Sequence, residues 1–294
     1  MDVGPDGLTV AGEGSYRGTV EVKRHGRVLA VVNEVGFEDY VRGIEEVPPS
    51  WPAAALQAQA IAARTYAAHK AGEHGETPWR AVAADICATP RCQVYNGLDA
   101  ERKARGHGWL AAVEATAGRV LLEGGRPIMA SYSSTANGPR AMSQTGALEM
   151  ANQGRSAPEI LDAYYGLRPT HAPGRLPATI RVALDTGTAA VRVSATKRIR
   201  VVDQAGAELA GEATGDWKVV ADGGGVRVVP PDGHPPDDDV VEVADPVAAV
   251  VRRPGRVMSA AAPRPSAGPW AVAAAALLAG AGMATITLGR RRAA

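Results

Sequence analysis

The sequence predicts an α+β fold in which hairpins and helices precede a small all-β module and a C-terminal transmembrane helix. Three observations lead to this prediction. Residues 15–34 alternate between apolar and polar side chains, as the strands of a hairpin do. An alanine-rich stretch over residues 50–71 places its larger apolar side chains at helical spacing. After Leu176, short valine-rich runs are separated by glycine and aspartate, which is typical of strands joined by turns.

The first half of the chain is predicted to alternate hairpins and helices. The hairpin over residues 15–34 turns at His25-Gly26, and a short helix follows over residues 37–44. Ser50 is a candidate N-cap for the long helix, with Pro52 in its first turn. The later predicted elements are a helix over residues 101–116 broken or bent near Gly106-His107-Gly108, a hairpin over residues 118–134 turning at Gly124-Gly125, and helices over residues 143–153 and 157–165, the second capped by Ser156.

The second half of the chain changes in composition. Five β-rich runs (TIRVAL, AVRVSA, IRVVD, WKVVA and VRVVP) predict a small β module over residues 171–230. Residues 231–268 are rich in Pro, Asp and Ala and are predicted to be a disordered linker.

Residues 269–289 are predicted to be a transmembrane helix. This apolar run of about 20 residues is long enough to span a bilayer. Trp270 lies at one edge, and a basic tail over residues 290–294 lies at the other, which indicates a cytoplasmic C-terminus. A buried core helix is the alternative, because the run contains many alanines and glycines.

Charge and composition exclude some functions. The net charge is +1 and no basic stripe with interleaved aromatics is present, so nucleic acid is not an expected partner. Residues 1–14 are polar and glycine-rich, without the basic start and apolar run of a signal peptide. No cofactor is predicted.

The two cysteines leave two interpretations open. Cys87 and Cys92 lie close in sequence and form either a disulfide or half of a zinc site, to which His74 or Asp85 contributes. A closed zinc site needs four ligands, with Cys pairs usually more tightly spaced. Outside the membrane, a disulfide is the simpler interpretation.

An acidic pair, Glu45-Glu46, precedes the long helix on a turn made stiff by Pro48, Pro49 and Pro52. A carboxyl group held on a rigid turn suits general acid–base chemistry. Acids near a helix N-terminus are also an ordinary feature of helices, because they interact favourably with the helix dipole.

The region over residues 18–166 resembles the SpoIID/LytB family, named for stage II sporulation protein D and an amidase enhancer, in a shortened, actinobacterial-type form. The resemblance is strongest in YVRGIEEVPPSWPAAALQAQAIAARTYA over residues 40–67. It continues in order through CQVYNG, AVEATAGRVLLEGGRPIMASYSST and MSQTGALEMANQGRSAPEILDAYY. The resemblance implies a SpoIID-like domain over residues 15–170.

The resemblance implies a peptidoglycan lytic transglycosylase, a carbon–oxygen lyase that cleaves between N-acetylmuramic acid and N-acetylglucosamine. The family's E-[MV]-P turn carries the catalytic acid, and that position here is Glu46, followed by Val47 and Pro48. Burial near Val47 and Trp51 and the adjacent Glu45 carboxylate are expected to raise the pKa of Glu46.

The resemblance also implies which residues bind the glycan strand. Gln93 and Tyr95 lie in the CQVYNG run, and Ser133, Ser134 and Asn137 resemble the family's S-T-S-G-G stretch. A polar turn and an ordinary loop are the structural alternatives for these two groups.

The chain departs from the family pattern after Asn137. A long insert and a G-H-G turn usually precede the M-S-Q segment, whereas here Met142 follows almost directly. Three functions therefore stay open: an active transglycosylase, a non-catalytic wall-binding or amidase-enhancing protein, and a fold without either role. The expected partners are glycan strands, a cell-wall amidase and the membrane, with the folded domain facing the wall.

Overall fold

The computed structural model describes residues 7–72, 79–202, 208–222, 225–231 and 248–252. The helices of these residues are α1 (Phe37–Arg42), α2 (Ala53–Gly72), α3 (Gly97–Lys103), α4 (Gly108–Ala115), α5 (Gln144–Asn152) and α6 (Ala157–Tyr165). The strands are β1 (Leu8–Val10), β2 (Gly14–Tyr16), β3 (Thr19–His25), β4 (Val28–Gly36), β5 (Ile86–Cys87), β6 (Arg119–Val120), β7 (Leu122–Glu123), β8 (Arg126–Pro127), β9 (Ser131–Ser133), β10 (Ala141–Ser143), β11 (Thr170–His171), β12 (Thr179–Thr188), β13 (Ala190–Val202), β14 (Glu208–Asp222), β15 (Gly225–Val229) and β16 (Ala248–Arg252). The predicted α+β class is confirmed.

One large sheet forms the base of the fold, with strand order β15-β14-β13-β16-β3-β4-β12-β5. The predicted first hairpin is confirmed, since β3 and β4 pair antiparallel from Thr19 and Glu34 to His25 and Val28. Its turn contains Gly26 at φ 63°, a left-handed conformation that glycine adopts without steric cost. β1 also pairs with β13 and with β2.

The long helix α2 lies between two apolar clusters. On one side Leu56, Ala60 and Ala63 join the core formed with the large sheet. On another side Ala58 and Ile61 pack in a second cluster with residues of α5 and α6. Because so many of its side chains are alanine, neighbouring elements pack closely against α2.

The start of α2 corrects one prediction. The helix begins at Ala53, and Pro52 accepts its first hydrogen bonds, from the backbone N–H groups of Ala55 and Leu56. Ser50 therefore does not cap α2. It lies in a separate turn in which Trp51 donates to the Pro48 carbonyl at 3.2 Å, and consecutive prolines hold this turn apart from the helix.

Of two middle elements, one agrees with its prediction and one differs. The helix expected over residues 101–116 is broken near Gly106 (φ 79°), as predicted, into α3 and α4, and α3 begins earlier, at Gly97. The hairpin expected over residues 118–134 is confined to β7 and β8 around Gly124 and Gly125. Its outer parts pair elsewhere, β6 with β11 and β9 in parallel with β10.

The predicted β module shares the sheet of the first half. β12 pairs antiparallel with β4 from Thr179 and Gly36 to Thr188 and Leu29, so the sheet continues across the predicted domain boundary at residue 170. All described residues fall within one compact unit, Met1–Pro254.

The predicted linker and transmembrane helix lie largely outside the described residues. Within the linker, residues 248–252 (AAVVR) differ from the prediction by forming β16 between β13 and β3. Valine favours strands, which explains the local departure from a composition rich in Pro and Asp. The apolar run over residues 269–289 is not among the described residues. In the part of the chain that the structure describes, no helix is both long and apolar enough to cross a membrane.

Candidate active site

The acidic pair lies on an extended segment that runs beside the segment following Cys92. Glu45 donates its backbone N–H to the Val94 carbonyl at 2.9 Å, and Asn96 donates to the Gly43 carbonyl at 2.9 Å. Ile44 and Tyr95 form an antiparallel bridge between these contacts. Successive side chains of an extended segment point to opposite faces, so the two carboxyl groups diverge.

Glu45 faces away from the candidate site. Its carboxylate accepts hydrogen bonds from Asn96 Nδ2 at 2.7 Å and from Lys103 Nζ at 2.9 and 3.0 Å. The charge of Glu45 is not among the causes of the raised pKa of Glu46. The expectation that Glu45 tunes Glu46 is therefore wrong, because the extended backbone turns Glu45 towards Lys103.

Glu46 is half-buried, and its carboxyl group is held at one oxygen. The Val94 N–H donates to Oε1 at 2.7 Å, whereas Oε2 accepts no hydrogen bond from the described residues. Burial raises the pKa of Glu46, and the Val94 hydrogen bond opposes that shift without cancelling it. The carboxyl group therefore keeps its proton to a higher pH than an ordinary glutamate and leaves Oε2 free to donate it.

A network of an amide and two phenols lies next to Glu46. Gln93 donates from Nε2 to the Ala63 carbonyl at 3.2 Å and to the Tyr132 hydroxyl at 2.6 Å. Its Oε1 accepts from the Tyr40 hydroxyl at 2.9 Å. Burial raises the pKa of Tyr40 and Tyr132 well above the ordinary range, and the negative charge of Glu46 adds to this shift. Both phenols are thus uncharged neighbours of the carboxyl group.

Gln93 and Tyr95 are close to Glu46 but do not line an open groove. Their exposed fractions are 0% and 1%, and Tyr95 donates its hydroxyl to Asn33 Oδ1 at 2.9 Å. The polar groups of both side chains are satisfied within the protein. The prediction that they contact the glycan is corrected, because both side chains are buried and bind other groups of the protein.

The predicted polar loop residues are accessible. Ser133, Ser134 and Asn137 are all exposed. Ser133 pairs with Ser143 in the parallel β9–β10 ladder, and the Ser134 carbonyl accepts from Thr145 Oγ1 at 2.8 Å.

This loop region is connected to Glu46 through Gln144. The buried Gln144 donates from Nε2 to the Glu46 carbonyl at 3.4 Å, which joins the start of α5 to the acidic turn. Ser133 and Ser134 belong to the same β9–β10–α5 unit as this contact, whereas no described contact connects Asn137 with Glu46.

Sequence reasoning missed Tyr132 and Gln144. Both lie in runs that carry the family resemblance, Tyr132 between Ser131 and Ser133 and Gln144 directly after Ser143. Strand alternation was the available signal for Tyr132, since it places that ring on the face opposite the two serines.

The cysteines form a disulfide between Cys87 and Cys92. Asp85 is paired with Arg80 at 3.1 Å and accepts the Arg181 N–H at 3.0 Å, while His74 is not among the described residues. No group of three metal-ligating side chains occurs within the residues that the structure describes. Oxidation to the disulfide removes both thiolates as zinc ligands.

Comparison with known proteins finds similarity in the part of the chain that contains Glu46. Residues 25–122 match the family model SpoIID, described as stage II sporulation protein, and the match includes Glu46 and Val94. A segment of 97 residues is 40% identical to an uncharacterized protein of Brachyspira hyodysenteriae. That segment is 32% of this chain and spans about a quarter (25%) of the relative's length.

Proposed function

We propose, from the match of residues 25–122 to the SpoIID family model and from the geometry around Glu46, that this is a cell-wall related protein with peptidoglycan lytic transglycosylase activity. The observation that supports this proposal is the state of Glu46. One carboxyl oxygen is anchored by Val94, the other is free, and burial raises the pKa. A carboxyl group with these properties can first donate a proton and then take one back.

The proposed reaction needs a single carboxyl group. Protonated Glu46 donates from Oε2 to the glycosidic oxygen as the bond from C1 of N-acetylmuramic acid to that oxygen breaks. The resulting carboxylate removes the proton of the muramic 6-hydroxyl, whose oxygen bonds to C1 and closes a 1,6-anhydro ring. No water enters, so the second carboxylate of an ordinary glycosidase is unnecessary. Glu45, bound to Lys103, is not required for any step.

Tyr132 is proposed to contact the substrate. Its hydroxyl oxygen accepts from Gln93, which leaves the phenol hydrogen available as a donor beside Glu46. Its high pKa keeps the phenol protonated at neutral pH. Exposed Ser133, Ser134 and Asn137 are proposed to contribute further hydrogen bonds to the glycan strand.

The test is a digestion of purified glycan strands by the full chain, with mass spectrometry of the products. We expect 1,6-anhydromuramic ends from the wild type, and a loss of about 10²–10⁴-fold in Glu46→Gln. Glu45→Gln is the matched control, since it alters a neighbouring carboxylate that faces Lys103, and its products are expected to persist. Equal activity of Glu46→Gln and the wild type would contradict the mechanism.

The second candidate is a non-catalytic wall-binding or amidase-enhancing protein that faces the wall from the membrane. The short connection between β9 and β10, residues 134–140, is the observation that favours it. It predicts retention on sacculi, no anhydro products, and faster cleavage by an added cell-wall amidase.

A further inference from the structure

The disulfide lies next to the segment whose Val94 N–H binds the Glu46 carboxyl group. Cys87 is 1% exposed and belongs to β5, where it pairs with Ala183 of β12. Cys92 is followed by Gln93 and then by Val94. The disulfide therefore links the large sheet covalently to the segment that follows Cys92. That segment carries the Val94 N–H, which binds Glu46, and the Gln93 amide, which binds both phenols.

Apart from the disulfide, β5 and the segment that follows Cys92 are joined more weakly, by the loop between the two cysteines. Thr89, Pro90 and Arg91, in the loop between the cysteines, are exposed. Backbone hydrogen bonds across the loop are those from Cys92 to Thr89 at 2.9 Å and from Tyr95 to Ala88 at 3.1 Å. Without the disulfide, β5 and the segment of Val94 would be joined across the loop by these two backbone hydrogen bonds, and exposed loops open at low free-energy cost.

We propose that Cys87 and Cys92 are positioning residues of the Glu46 site, and that their disulfide fixes Val94 where it holds the carboxyl group and Gln93 where it binds the two neighbouring phenols. A dithiol reductant such as dithiothreitol reverses this constraint: it transfers two electrons and two protons, gives two cysteine thiols, and is itself oxidised to a cyclic disulfide. The activity consequence rests on the proposed function, whereas the structural consequence does not.

The direct test is nuclear magnetic resonance of the Val94 backbone amide during a pH titration. In the oxidised full chain, we expect the Val94 amide shift to follow the ionisation of Glu46, because they share a hydrogen bond of 2.7 Å. Within the described part of the chain, Tyr40 and Tyr132 are the titratable groups that face Glu46, and their raised pKa keeps them neutral throughout. After reduction, the amplitude of the Val94 titration should fall by at least half.

Two controls isolate the effect. In oxidised Glu46→Gln the Val94 amide should not titrate, which assigns the signal to Glu46. The Asn96 amide, bonded to the Gly43 carbonyl on the same segment, reports whether the pairing of the two segments survives reduction. An unchanged Asn96 signal together with a weakened Val94 titration supports the proposal.

The double variant Cys87→Ala/Cys92→Ala repeats the measurement without reductant. An unchanged Val94 titration in the reduced chain and in this variant would overturn the proposal. So would loss of the whole native amide spectrum in both, since the disulfide would then hold the fold and not the site.

Activity gives a separate readout. In glycan-strand digestion, kcat should fall about 10-fold on reduction with KM within twofold, and reoxidation should restore it, because misplacement of a catalytic group slows the chemical step. A weakened Val94 titration in a chain that never forms anhydro products would keep this proposal and reject the transglycosylase activity.

Discussion

Glu46 shows how one residue can be adapted to proton transfer by two opposing contacts. Burial raises the pKa of its carboxyl group, and the Val94 hydrogen bond partly offsets that shift while holding the group in place. Complete burial would block access to Oε2, and complete exposure would remove the desolvation that raises the pKa of the carboxyl group. Half-burial therefore satisfies both requirements.

The raised pKa predicts a pH-dependent gain in stability for Glu46→Gln. Below the ordinary glutamate pKa, about 4.3, the carboxyl is protonated in both folded and unfolded states and costs nothing. As the pH rises through the folded-state pKa, the folded chain must ionise a partly buried group, so the wild type loses stability that the neutral amide keeps. Urea unfolding should show Glu46→Gln more stable at pH 7 and equal to the wild type near pH 3.

Glu45→Gln is the control for that measurement. It breaks the contact with Lys103 and should show no gain at pH 7. A stability difference for Glu46→Gln that does not vary between pH 3 and pH 7 would contradict the assigned pKa direction.

Gln59 in α2 supports a second prediction about a single residue. It is 1% exposed, and neither Nε2 nor Oε1 has a hydrogen-bond partner among the described residues. An unpaired buried amide costs about 1–3 kcal/mol, so Gln59→Leu should raise the free energy of unfolding by about 1 kcal/mol. Gln57→Leu, two positions away and less buried, should change it little. Denaturant unfolding that shows a loss for Gln59→Leu would contradict this prediction.

The site was predictable in part at this scale. The motif around residues 44–48 identified Glu46, because its chemistry is local to one turn. The burial of Gln93 was not predictable, since its partners Tyr40 and Tyr132 lie 53 and 39 residues away in the chain. Residue type shows what a side chain can bind, whereas burial depends on contacts between distant segments.

At the scale of the helices and strands, the packing of α2 depends on the buried guanidinium group of Arg64. Arg64 has an exposed fraction of 0% and pairs with Glu38 at 2.9 Å. It also donates to Thr116 and to the carbonyls of Ala60, Val113 and Arg119. These contacts join α1, α2 and α4.

Removal of this cation should be costly. Arg64→Leu removes the ion pair with Glu38 together with the hydrogen bonds to Thr116 and three backbone carbonyls, so we expect a loss of about 3 kcal/mol in the free energy of unfolding. Arg102→Leu is the matched control, because its pair with Asp99 is exposed (44% and 39%) and should contribute less than about 1 kcal/mol. Similar losses for the two variants, measured by chemical denaturation, would show that Arg64 is not central to the helix packing.

Elements with strong local signals were predicted well. The α6 prediction over residues 157–165 matches the observed bounds, with a capping box of Ser156 and Glu159 and left-handed Gly166 at the end. The β9–β10 pair was missed because parallel pairing joins segments whose contact no local pattern specifies. Ser50 was misassigned because serine also suits the turn that precedes a helix.

At the scale of the whole molecule, the sheet depends on strands that are distant in sequence. β12 covers the edge of β4, where Arg181 pairs with Glu34 at 2.8 Å and also contacts Glu21. β16 lies between β13 and β3 and pairs with both. Composition alone could not predict this position, because residues flanking β16 resemble a disordered linker.

The position of β16 predicts where the chain can be shortened. A chain ending at residue 254 keeps every strand of the sheet, whereas one ending at residue 231 lacks β16 and exposes unpaired backbone on β3 and β13. Unpaired edges weaken a sheet and promote association. We therefore expect residues 1–231 to melt at a lower temperature and to elute as larger species in size-exclusion chromatography, and residues 1–254 to behave as the full folded unit. A chain ending at residue 176 should be weaker still, because β4 then loses β12 as well. Equal melting temperatures for residues 1–231 and 1–254 would mean that β16 contributes little, and that β3 and β13 tolerate open edges.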